Sequence, residues 1–129
     1  MKKAKPLGTA RIFLLLAAVI VLAGCATTPD GYMQITIKND TGYPIWYVLI
    51  SPSSSNTWGA DWLDRDEIIV NGRTRKFYLP PAANNEYDFL LEDDEGDRYE
   101  KYDVVISRNM VITFTMDDFD LEYAREIRQ

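Results

Sequence analysis

Histidine is missing from all 129 residues and cysteine occurs once. Without histidine there is no Ser-His-Asp or Cys-His nucleophile pair and no histidine-ligated zinc, and a single thiol makes neither an internal disulfide nor a metal cluster held by several thiolates. The chain also lacks S-x-x-K, G-x-S-x-G, G-x-G-x-x-G and P-loop patterns. Nucleophilic and nucleotide chemistry therefore have no recognisable foothold, and the cofactor expectation is none.

What is present first is an amino-terminal address. Lys2, Lys3, Lys5 and Arg11 make a positive start with no acidic residue, and Ile12 to Ala23 is an apolar run of twelve. A helix needs about 20 residues to cross a bilayer, so this run reads as an export signal and not as a span. It ends in Leu22-Ala23-Gly24-Cys25, which resembles the lipobox of bacterial lipoproteins. That resemblance implies cleavage before Cys25, a diacylglycerol on its sulfur and a further acyl chain, commonly palmitate, on the new amino group. Small Ala23 and Gly24 suit an extended passage through a narrow protease site. Each buried CH2 is worth about 0.8 kcal/mol, and two or three chains anchor stably where one is marginal. Ala26, instead of Asp, follows the cysteine; by resemblance to lipoprotein sorting this favours the outer membrane of a diderm, with the domain in the periplasm or at the cell exterior. The membrane, through lipid on Cys25, is thus the expected partner.

Without the signal, residues 25–129 hold ten basic and twenty acidic groups, a formal charge of −10. Such a surface repels phosphates and anionic headgroups, which disfavours nucleic acid and leaves the holding to the acyl chains. The 105 residues suffice for one domain and one core. They carry fifteen of the sixteen aromatics, which sets them apart from a disordered tail. The organisation expected is a signal over 1–24, a tether over 25–31, a β-domain over 32–116 and a tail over 117–129.

Short strands separated by turn residues fill the domain. Met33, Ile35 and Ile37 alternate with polar neighbours, Ile45 to Ile50 is apolar on both sides and reads as a central strand, and Asn39 to Gly42 turns the chain between them. Glu67 to Val70 and Arg73 to Leu79 flank Asn71-Gly72, the favoured pair for a type I′ hairpin, and Pro80-Pro81 ends that strand. Tyr87, Phe89 and Leu91 alternate, Asp93 to Gly96 turns, and Tyr102, Val104 and Ile106 continue on the far side. Met110, Ile112, Phe114 and Met116 keep a period of two. About seven strands with no helix between them predict an all-β fold, an antiparallel immunoglobulin-like sandwich, with a small open barrel as the alternative. In the tail, Phe119, Tyr123 and Ile127 are spaced by four and suit a short helix capped by Asp117 or Asp118; Phe119, Leu121 and Tyr123 equally suit a strand.

The segment Ser51 to Glu67 joins two strands with about 15 residues where a median loop has about 4 to 6, and it contains Trp58-Gly59-Ala60-Asp61-Trp62-Leu63-Asp64. Three readings compete for it. In a sugar-binding surface, Trp58 or Trp62 stacks on a pyranose face while Asp61 or Asp64 takes hydroxyl hydrogen bonds. In a calcium loop, Asp61, Asp64, Asp66 and Glu67 supply carboxylate oxygens, since calcium takes 6 to 8. In the third, which has the greater weight, Trp58 and Leu63 fold down as a plug over the open end of the sandwich and the carboxylates stay wet. The acidic run Glu92 to Asp97 lacks the EF-hand register, because Tyr102 stands where the closing glutamate belongs, and reads as a solvated hairpin tip. Paired carboxylates suitable for glycoside hydrolysis are a weak signal in so acidic a chain.

Asn39-Asp40-Thr41-Gly42, Ser51-Pro52-Ser53-Ser54-Ser55 and Trp58-Gly59-Ala60-Asp61-Trp62-Leu63, in that order, are similar to a set of small exported bacterial β-domains of unknown function, with N-x-T-G, S-P-S-S-S and W-G-x-D-x-L motifs. The resemblance spans about residues 33 to 116, implies a β-sandwich and carries over no catalytic residue. The reading as a whole is a non-enzymatic, lipid-anchored envelope domain with a binding or structural role. A carbohydrate- or calcium-binding module using the Trp58 to Glu67 loop is the alternative.

Overall fold

Alternation of β-branched and polar residues makes the first strand, β1, from Met33 to Asp40, and buries Ile35, Ile37 and Asn39 on one side. The computed structural model describes residues 29–129. Cys25, the signal and the start of the tether lie outside the described residues. After β1 come β2 (Ile45–Pro52), β3 (Thr74–Leu79), β4 (Glu86–Asp93), β5 (Arg98–Val105), β6 (Met110–Thr115) and a helix, α1 (Leu121–Ile127). The strands form two three-stranded sheets, ordered β3-β1-β6 and β2-β4-β5. Ile35, Ile37, Phe77, Ile112 and Phe114 from the first meet Val48, Ile50, Phe89, Leu91 and Tyr99 from the second in one core. The fold is an all-β sandwich.

Four details of strand number, pairing and turn type depart from the sequence expectation. Among the described residues there are six strands: of Glu67 to Val70 only Ile69 bonds strand-fashion, exchanging backbone hydrogen bonds with Ile45. The pairing is antiparallel except between β1 and β6, which run parallel. No crossover helix is needed there, because the chain crosses by way of the second sheet. Next, β2 is an edge strand, not a central one. Its second apolar face comes from Leu49, which lies opposite Leu90 on the outside of the sheet, where Leu90 is nevertheless fully buried. Finally, of Asn71-Gly72 only Gly72 has a positive φ, +82°, and Arg73 N–H donates to Val70 O at 3.0 Å. That is a type II turn and not the type I′ expected.

Loop ends are tied together by buried polar groups. Asn39 has no solvent exposure. Its Nδ2 donates to the carbonyls of Tyr43 (2.7 Å) and Ile69 (2.9 Å), and its Oδ1 accepts from the backbone N–H and hydroxyl of Thr41. The N-x-T-G motif is therefore a structural hub joining the β1–β2 turn to the β3 entry. Asp93, 2% exposed, takes the N–H groups of Glu95 and Asp97 on Oδ1 and the Tyr99 hydroxyl on Oδ2 at 3.0 Å. Burial, then that hydrogen bond and the charges of Asp93 and Asp97, raise the Tyr99 phenol above its usual range.

The tail forms the expected helix, with Asp120 as its cap in place of Asp117 or Asp118. The Asp120 side chain accepts from Tyr123 N–H, whereas Asp117 and Asp118 sit in a preceding 3₁₀ turn. Phe119 bridges to Tyr99 edge-on, the Arg98 guanidinium lies 3.8 Å from the Tyr123 ring centre, and Arg128 Nη2 reaches both oxygens of Asp97 at 2.8 and 2.7 Å. The tail thus packs onto β5 and completes the sandwich.

Candidate functional site

The long loop after β2 does two separate jobs. Its second half seals the free edge of β2. Val48 N–H donates to Asp61 Oδ1 (3.0 Å), Trp62 N–H donates to Val48 O (2.8 Å) and Trp62 Nε1 donates to Ile50 O (3.1 Å). Asp61 Oδ1 also accepts Leu63 N–H at 3.0 Å. An edge strand otherwise presents open donors and acceptors to other chains, so a carboxylate and an indole here protect the sheet. Trp62 packs edge-on to Phe77 and Leu63 joins the core. The plug expected of Trp58 and Leu63 is therefore made by Trp62 and Leu63, and Trp58 is left outside.

The four carboxylates expected to meet around a cation do not converge. Asp61 faces backbone N–H groups. Glu67 binds Arg75 Nε at 3.0 Å and Asp64 N–H at 2.9 Å, Asp64 lies 3.7 Å from Arg75, and Asp66 lies 4.0 Å from Arg65. A cation, Arg75, occupies the place between Asp64 and Glu67. No group of three or more His, Cys, Asp or Glu side chains among the described residues is arranged to hold a metal ion.

The first half of the loop builds something else. β5 carries a bulge, since Tyr87 pairs with Val104 but Phe89 pairs with Lys101, so Asp88 alone faces both Tyr102 and Asp103. Asp103 holds φ +53° and its N–H donates to Asp88 Oδ1 at 2.9 Å. The extra residue allows Tyr99 and Val104, five apart, both to face the core, and it leaves Tyr102 on the outer face with 55% of its surface exposed. This corrects the sequence reading, which put Tyr102 on one face with Val104 and Ile106. Trp58 lies over Tyr102 with ring centres 5.9 Å apart and planes tilted by 51°.

Between these rings and the sheet is an open depression of about 180 Å³. Its floor is the cross-strand pair Ser51 and Asp88, its walls are Trp58 and Tyr102, and Asn56 and Thr57 stand at the rim. Asp88 is held by Ser53 Oγ at 2.7 Å as well as by Asp103 N–H. Tyr102 donates its hydroxyl to Glu100 Oε2 at 2.8 Å. Burial, then that bond and the charges of Glu100, Asp88 and Asp120, push its phenol up to about 12, so it stays neutral throughout the physiological range. No Lys or Arg lines the depression. Of the side chains assigned a ligand-binding role from the sequence, only Trp58 belongs to it; Ser51 comes from the same long segment, and Asp88 and Tyr102 are additions of the structure.

No protein-family model and no curated protein matches the sequence. The fold is similar to the NMR structure of a protein from Eubacterium rectale, with a TM-score of 0.50 and 8% identity over 70% of this chain and 82% of that one. At that identity the likeness bears on the fold alone.

Proposed function

We propose that the chain is an exported, lipid-anchored and non-enzymatic domain of the cell envelope, held by acyl chains on Cys25 and acting as a binding or structural module. The observation that carries the reading is the position of the single cysteine, directly after Leu22-Ala23-Gly24 and eight residues before β1 begins at Met33. A chain spans at most about 3.3–3.6 Å per residue, so the seven residues from Ala26 to Tyr32 reach no more than roughly 25 Å and hold the sandwich close to the bilayer. No helix among the described residues is long and apolar enough to cross a membrane. The outer membrane of a diderm, by the residue after the cysteine, is the favoured location. The non-enzymatic part rests on the engagement of polar groups in architecture: Asn39, Asp61 and Asp93 each hold backbone N–H or C=O groups in place.

Metabolic labelling with a clickable palmitate, together with fractionation of cells expressing wild type or Cys25→Ala, tests the anchor. Labelled wild type in the membrane pellet and an unlabelled, unprocessed variant are expected. A processed, unlabelled wild type in the soluble fraction would refute the reading.

A further inference from the structure

We propose that the depression at the β5 bulge binds a neutral saccharide, one sugar ring resting against the shelf that Trp58 and Tyr102 form together, over Ser51 and Asp88. The proposal goes beyond the anchor and stands or falls without it.

Two features show a built surface and not a stray gap. The first is the placement of the aromatics. Trp58 and Tyr102 meet outside both sheets, the one projected by a loop and the other by a bulge at a residue with positive φ. A bulge re-aims the side chains around it, and left-handed φ at a non-glycine residue is uncommon. The second is the floor. Ser51 is only 6% exposed, its hydroxyl makes no hydrogen bond to any described residue, and it lines the depression. That hydroxyl opens to the solvent of the hollow, where it can donate to and accept from a ligand atom that enters. Beside it, Asp88 is fixed through Oδ1 while Oδ2 takes no hydrogen bond from the described residues.

The ligand class follows from this chemistry. A ring with apolar C–H faces and hydroxyl edges is what two aromatic walls, a fixed carboxylate, a serine and the rim amide of Asn56 complement together. An acidic sugar is excluded by Asp88 and Glu100 with no Lys or Arg in the lining. The volume admits one ring and leaves the remainder of a longer glycan in solvent. The tilt of 51° between the rings makes a shelf and not a closed cage, so an organic ammonium has fewer π-faces around it here than a cage would give.

The test uses the full chain as isolated, in a detergent without a sugar headgroup. Glucose, mannose, galactose, N-acetylglucosamine and cellobiose are titrated by calorimetry and by NMR of the tryptophan indole signals, with sialic acid and tetramethylammonium as counter-probes. At least one neutral sugar binds at roughly millimolar concentration and shifts the Trp58 indole. Affinity falls at least tenfold in Trp58→Ala and in Tyr102→Ala, is partly restored in Trp58→Phe and is unchanged in Tyr43→Ala, an exposed aromatic elsewhere. Tyr102 is exposed, so its variant reports on binding with the fold intact. The proposal is overturned if none of the neutral sugars binds, if binding survives both alanine variants, or if tetramethylammonium is the probe that shifts Trp58.

Discussion

Replacing Asp61 by Ala separates an architectural carboxylate from a ligand-binding one. In the structure Oδ1 of Asp61 takes two backbone N–H groups, one on the open edge of β2 and one at Leu63 where the loop enters the core. A hydrogen bond to a charged acceptor contributes about 1.5–3 kcal/mol when buried; half-buried as these are, two of them together are worth about 2–4 kcal/mol. A domain near 100 residues loses about 4–8 °C of Tm per kcal/mol, so Asp61→Ala lowers Tm by about 8–32 °C. The urea midpoint falls by on the order of 1–2 M with unchanged m, since m for such domains is about 1–3 kcal/mol/M. Asp61→Asn keeps the accepting oxygen and loses about half as much. Calcium leaves the wild-type midpoint where it is, whereas a site using Asp61 would add about 2.7 kcal/mol at 100 times its Kd. A loss under about 0.5 kcal/mol in Asp61→Ala, typical of an ordinary surface substitution, would refute the edge-sealing argument. So would a calcium-dependent stabilisation of wild type that vanishes in the variant.

Three further substitutions probe the rest of the frame. Tyr99→Phe removes the only donor among the described residues that reaches Asp93 Oδ2 and costs about 1–3 kcal/mol by urea titration at neutral pH. The same phenol contributes, with Tyr87 and Tyr102, to the alkaline limit: its folded value is raised above the unfolded value of about 10, so the unfolded chain releases its proton first. Wild-type stability is then full below about pH 10 and falls as pH rises above it, more steeply than in Tyr99→Phe. Gly72→Ala meets no atom within 4 Å but must hold φ +82°, so a backbone cost of about 1 kcal/mol in the melting curve is expected, with no change in the sugar titration. Arg128→Ala frees the end of α1 from Asp97; because the arginine side chain is 55% exposed, global stability drops by no more than about 1 kcal/mol. Amide exchange around Tyr123 and Ala124 nevertheless quickens.

Where a strand kept one register against the core, its pattern was legible in the sequence. Met33 to Ile37, Tyr87 to Leu91 and Met110 to Phe114 became β1, β4 and β6 because each second side chain meets the same apolar layer. Periodicity could not give the partners. Ile45 to Ile50 has the composition of an interior strand, yet it is an edge whose missing neighbour is replaced by Asp61, Trp62 and Ile69. Glu67 to Val70 has the same strand-like composition and makes a single bridge, since the loop beside it has already used the available edge. The parallel β1–β6 pair was hidden for a related reason. It joins the first and last strands of the domain, and local pattern is blind to contacts at that separation.

The depression was half legible, and the missing half depended on one inserted residue. An unusually long loop with two tryptophans pointed to the right segment, but which indole goes inside is decided by the β2 carbonyls: Trp62 can donate to Ile50 O while packing on Phe77, and Trp58 has no such pair of partners. On β5, strict alternation cannot place Tyr99, Val104 and Ile106 on one face, because the first two are an odd number of residues apart. That parity conflict appears only once Tyr99 is seen in the core, because Tyr102, Val104 and Ile106 alone alternate without one. A conflict between Tyr99 and Val104 requires an extra residue somewhere between them, and of the residues there Asp103 is best suited to a left-handed φ. Once the bulge is put at Asp103, Tyr102 falls outside, opposite Asp88, next to the strand that ends in Ser51 and the loop that carries Trp58. Deleting Asp103 would bring Tyr99 and Val104 to four residues apart, so that both keep facing the core and Tyr102 stays outside with no bulge, and what is lost is the backbone N–H that fixes Asp88 Oδ1 on the floor of the depression.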